Sequence, residues 1–165
     1  MSHYRFVTEW QADAPVERVW DVLLDQQRWP DWWRGFRSAE LLEAGGPSGR
    51  GMRIRQGWRG WLPYTLTIDV EIVDLERHRL LQGRAGGDME GTCTWTFDPI
   101  GDRTTVRFVM DVRPARWWMN LPLPFAGRVV AANFDAIMRW GEHGLTRVLA
   151  GLEAAAPAAT TLASA

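Results

Sequence analysis

The chain has 165 residues, 46% of them apolar and 24% charged, with a formal net charge of -1; that suits one domain with one core and gives no overall field to draw in nucleic acid. All 19 basic residues are arginine, which excludes Schiff-base chemistry and the phosphate-gripping lysine of a P-loop. Cys93 is the only cysteine, so no intramolecular disulfide can form and a reducing compartment is expected.

In chain order, Tyr4 to Ala12 alternates, with Phe6, Thr8, Trp10 and Ala12 on one side, and is expected as the first strand. Asp13 and Pro15 then supply helix-start chemistry, and Val16, Val19, Trp20 and Leu23 form one apolar stripe of a short helix ending near Asp25. Trp29-Pro30 is expected to break it, because the residue before proline avoids the α region, with a second helical turn beginning at Asp31. From Phe36 to Arg113, strand patterns alternate with turn clusters at 44–51, 59–63, 74–79, 86–88 and 98–102, an antiparallel meander with one apolar and one wet face. After Pro124 a helical pattern runs to Glu153, with Val130, Phe134, Ile137, Gly141, Val148 and Leu152 on one arc. Residues 1–153 are expected to form one domain, and 154–165, small and uncharged, a disordered tail. The N-terminus lacks a signal-peptide pattern and no window approaches the ~18 apolar residues of a span, so a cytoplasmic location without stable membrane insertion is expected.

Three stretches carry a resemblance: APVERVWDVLLDQQRWPDWW near the start, EGTCTWTF in the sixth strand, and RWWMNLPLPF followed by NFDAIMRWGEHGLTRVL. Together they resemble the START-like (SRPBCC, Bet v 1-like) superfamily, in particular a bacterial subgroup of polyketide cyclase and dehydrase-like proteins. The resemblance implies an α+β helix-grip fold: a curved antiparallel sheet around a long C-terminal helix, with two short helices after the first strand. It also implies a pocket between the concave sheet face and that helix. Fold alone does not select among the superfamily's binding and enzymatic roles.

Strand alternation independently points inward Trp10, Ile54, Gln56, Trp58, Ile68, Val70, Cys93, Trp95, Phe108 and Met110, a bulky and nearly all-apolar set. The expected site joins these, apart from Ile54, to Asn133, Phe134, Ile137 and Gly141 of the helix. Its expected occupant is a small hydrophobic molecule, polycyclic, aromatic polyketide-like or lipid-like, with no cofactor and no nucleic acid. The alternative is a cyclase or dehydrase acting on such a molecule by positioning and acid/base catalysis, with Arg84, Asp88 or Glu90 reaching inward. A surface pair is the preferred reading of those three.

Asn133 and Gln56 are amides on apolar faces, so each needs a partner; for Asn133 the segment Trp117 to Leu123 and a ligand are both open. Gly141 and Gly144 each cost about 1 kcal/mol relative to alanine within a helix, which signals either close packing or room left for a ligand. His3, His78 and His143 show no metal-binding spacing. In RIRQGWRGW the arginines and Trp58 fall on opposite faces, which favours a solvated outer face over stacking on nucleic acid. RWWMNLPLPF reads as a pocket lid or a surface patch, and the resemblance, which implies that this connection neighbours the pocket entrance, favours the lid. Among the tryptophans, Trp20, Trp29, Trp32 and Trp33 are expected to be structural, and Trp10, Trp58 and Trp95 to be pocket walls.

Overall fold

Alternation of buried and exposed side chains builds the sheet. The computed structural model describes residues 3–163, with side chains described as far as Leu152. The strands are β1 (Tyr4–Ala12), β2 (Phe36–Glu43), β3 (Arg53–Trp58), β4 (Leu66–Glu76), β5 (Leu80–Gly87), β6 (Met89–Ile100) and β7 (Arg103–Pro114). They form one antiparallel sheet in the order β1-β7-β6-β5-β4-β3-β2. The first strand thus pairs with the last, Trp10 opposite Val106. Inner-face residues meet across strands: Gln56 opposes Ile68, Trp95 opposes Phe108, and Cys93 opposes Met110. Arginines and carboxylates occupy the outer face, where Arg55 clasps Asp69 through two bonds of 2.8 and 3.0 Å and Arg53 pairs with Glu43 at 2.9 Å.

Between β1 and β2 lie α1 (Val16–Leu24), a 3-10 turn (Gln26–Arg28) and α2 (Trp29–Trp32). Val16, Val19, Trp20 and Leu23 of α1 are all buried, as the stripe requires. The Pro30 break falls elsewhere than expected. Trp29 is itself helical, with φ -53° and ψ -40°, and Pro30 sits in the first turn of α2, where its missing N–H has no intrahelical acceptor to lose.

A second 3-10 turn (Trp117–Asn120) leads to α3 (Ala126–Ala163), which crosses the concave face. Its buried stripe is Phe134, Ile137, Met138, Gly141, Leu145 and Leu149. Leu152 shares the helical phase of Phe134 but is 46% exposed; eighteen residues, about 27 Å, separate the two, and by Leu152 the helix has outrun the sheet. The expected tail at 154–165 falls where no side chain is described, and 164 and 165 lie outside the described residues. The architecture is the helix-grip α+β fold, a curved sheet closed by its long C-terminal helix.

Candidate functional site

Aromatic rings fill the space between sheet and helix. Trp33 is the hub: its ring lies 5.0 Å from Trp10, 5.1 Å from Trp29, 4.5 Å from Phe36 and 6.1 Å from Trp95, and its N–H donates to the Ile137 carbonyl at 2.8 Å. Offset and edge contacts of this kind add to the gain from burial itself. Gly141 and Gly144 belong to the same packing. A Cβ at Gly141 would stand 2.4 Å from Trp33 Cε2 and 2.7 Å from Trp10 Cζ2, and one at Gly144 only 2.0 Å from the Trp32 carbonyl oxygen. Close approach, not spare volume, is what these glycines supply.

Two cavities remain among the rings. The first is lined by Gln26, Trp29, Gln56, Trp58, Val70, Ile72, Leu81, Gly83, Cys93, Trp95 and Phe108, and offers about 20 Å³ to the centre of a water molecule. The second is lined by Phe6, Trp58, Tyr64, Leu66, Ile68, Met89, Met110, Val130, Asn133, Phe134 and Ile137, and offers about 30 Å³ by the same measure. Since one water needs roughly 10 to 15 Å³ of such space, the first has room for about one or two waters and the second for about two or three. Trp58 is a wall of both.

Eleven of the thirteen residues expected at the site line one of these cavities: Gln56, Val70, Cys93, Trp95 and Phe108 the first, Ile68, Met110, Asn133, Phe134 and Ile137 the second, and Trp58 both. Gly141 and Trp10 line neither. Gly141 is covered by two indoles, and the Trp10 ring is spent on Trp33 and on Trp95, 5.4 Å away. Trp29, expected to be structural, is a wall of the first cavity. Its indole N–H is buried with no partner. Gln26, Tyr64 and Met89 were missed as wall residues because they come from a turn, a loop and a strand start, where two-residue alternation says nothing.

The interior amides are held by the protein. Gln56 Nε2 donates to Gln26 Oε1 at 2.8 Å, and Gln56 Oε1 accepts from Trp58 Nε1 at 2.9 Å. Asn133 Oδ1 accepts from the Leu62 N–H at 3.1 Å, so its partner is the loop after β3, not the segment Trp117 to Leu123. Burial pushes the Cys93 thiol up to about 12, and it is the first cause of the upward shift of the Tyr64 phenol, with the nearby Tyr4 adding to it.

The three charged residues weighed as proton carriers lie off both cavities. Arg84 faces outward and pairs with Glu71 at 3.7 Å, Glu90 is exposed, and Asp88, though buried, accepts from the Thr67 N–H at 2.8 Å and from Arg116 Nε. Arg84 was expected beside Asp88 and Glu90; cross-strand register instead sets it opposite Glu71. His3 pairs with Asp111, His78 caps the Trp20 ring edge-on, and His143 is exposed on α3.

The comparisons agree with this geometry. A family described as polyketide cyclase / dehydrase and lipid transport matches residues 3–155, nearly the whole chain, and the protein belongs to that family. No curated protein sequence matches it. Among solved structures, a START superfamily protein from Mycobacterium smegmatis superposes with a TM-score of 0.73 at 16% identity, covering 92% of this chain and 99% of the other. The Zhui aromatase/cyclase from Streptomyces sp. R1128 gives 0.71 at 18%, covering 88% and 92%. A protein from Thermus thermophilus gives 0.66 at 18%, covering 88% and 99%. These likenesses are of fold. Family membership supports ligand binding or cyclase-type chemistry in general terms, and no helix among the described residues is long and apolar enough to cross a membrane.

Proposed function

We propose that the protein binds a small, neutral, apolar molecule between sheet and α3, admitted at the mouth formed by Tyr64, Leu66 and Val130. The observation that carries this reading is the composition of the two cavity walls. No carboxylate, arginine or histidine lines either one, so a charged group would lose its hydration without a counter-charge, whereas an apolar body would lose nothing. Polar atoms on the walls, among them the Gln26 and Gln56 amides, Asn133, the Tyr64 phenol and the unpartnered Trp29 N–H, suit a carbonyl or hydroxyl on such a body. Because each cavity has room for only a few waters, uptake must spread the rings around Trp58, and the half-buried mouth is where that opening starts.

Titrating tryptophan fluorescence with neutral polycyclic aromatics and fatty alcohols, each beside a charged analogue, tests the reading. Saturable binding of neutral members at one per chain is expected, weakened roughly tenfold, about 1.4 kcal/mol, by Val130→Trp at the mouth. Failure of every compound to saturate would overturn it. A cyclase reading would need a group that gains and loses a proton near neutral pH in contact with the ligand, and the cavity walls offer only a buried thiol and a phenol, both shifted upward.

A further inference from the structure

Large apolar side chains at one end of the molecule face solvent: Trp117 is 77% exposed, Phe125 70%, Leu123 63% and Trp61 54%. They form one surface. The Tyr64 ring meets Trp118 edge-on at 5.4 Å, joining the loop after β3 to the turn after β7, and the Leu62 to Asn133 bond joins that loop to α3. The surface therefore surrounds the Tyr64 and Val130 mouth of the second cavity. A closed lid would turn these rings inward; here they point out. Phe125 even holds a left-handed φ of 67°, costly for a bulky residue, while displaying its ring to water.

Charge decides what the surface fits. Between Asp111 and Asp135 the only charged side chains are Arg113, Arg116 and Arg128, and between Arg59 and Asp69 there is none. Asp88 is engaged by Arg116, and Asp111 by His3 and Arg5. Arg113 stands opposite Glu90 across β6 and β7, which leaves Arg128, 5.8 Å above the Phe125 ring, and Arg59, both exposed, beside the aromatic cluster with no free carboxylate on these segments.

We propose that this end of the molecule docks reversibly on a bilayer bearing anionic headgroups, setting the cavity mouth against the lipid. Indoles favour the boundary between apolar and wet layers, and arginines beside them are drawn to anionic lipid. A second copy fits less well, because a symmetric contact would oppose like arginines with no acid between them.

Co-sedimentation with vesicles of equal parts phosphatidylglycerol and phosphatidylcholine, and with pure phosphatidylcholine, tests the proposal. The protein should partition onto the anionic vesicles, several-fold less onto the neutral ones, and less at high salt. Trp117→Ser, Leu123→Ser and Phe125→Asn together should lower partition roughly tenfold or more with an unchanged thermal midpoint, since all three are exposed. Arg59→Gln with Arg128→Gln should remove only the preference for anionic lipid. No partition onto either vesicle, full partition by the triple variant, or a concentration-dependent dimer that the triple variant abolishes would each overturn the proposal. The readout is lipid partition and not ligand uptake, so its failure is separate from a failure of the proposed binding function.

Discussion

Gly141 shows how one missing methyl group can organise a core. Helix propensity disfavours glycine there by about 1 kcal/mol, yet a Cβ would collide with two indole rings that are themselves wedged among Phe36, Trp29 and Trp95. Gly141→Ala should therefore destabilise the fold by about 1 to 3 kcal/mol despite its better propensity, measured as a shift of the urea midpoint at constant m-value. A stabilised variant would show that the rings give way. Trp95 belongs to the same packing, with Trp10, Trp29, Trp33 and Phe108 all in ring contact with it. Trp95→Ala and Trp20→Ala should thus cost alike, about 3 to 5 kcal/mol each, by the same measurement. Strand alternation was enough to find the inner face of β3, β4, β6 and β7 in the sequence, because a period of two needs only neighbours. It was not enough to tell a ring that borders a void from one that fills it. Trp10 and Trp29 exchanged roles for that reason: their surroundings come from residues far along the chain.

The Asn133 amide ties the β3–β4 loop to α3. Asn133 is buried on an apolar helix face, which the sequence alone shows to require a partner, but the Leu62 N–H that satisfies it lies 71 residues away. Asn133→Leu should cost about 1 to 3 kcal/mol by leaving that N–H unmatched, and should raise amide exchange across residues 59–65 above that of β3. Uniform exchange would mean the loop is held by other contacts. Strand β6 carries a second test in Cys93, whose burial raises its pKa from an ordinary value near 9 to about 12. The unfolded chain loses this proton first, so between pH 9 and 12 the unfolded state binds fewer protons and stability falls as pH rises. Below pH 9 the group contributes no slope. Cys93→Ala should flatten the fall in urea stability over that window, and the native thiol should resist alkylation at pH 8 until the protein is unfolded.

Across the whole molecule, Trp58 stands between the two cavities, with Phe36 4.6 Å away, Phe134 6.3 Å away, and its N–H on Gln56. Neither void admits a ring as it stands, so ligand uptake and core packing compete for the same space. Trp58→Ala should merge the voids into one chamber running from the Tyr64 mouth to the Gln26 and Trp29 end. The substitution should cost about 3 to 5 kcal/mol, and Gln56 Oε1 would also lose its donor. If the chamber is continuous, added indole should refill it: a ligand at one hundred times its dissociation constant stabilises by about 2.7 kcal/mol. The thermal midpoint of Trp58→Ala should therefore rise with indole concentration and saturate, by more than the wild type under the same conditions. Equal shifts in the two proteins would mean that the surrounding rings collapse into the gap, leaving the cavities separate and the interior unable to open as ligand uptake requires.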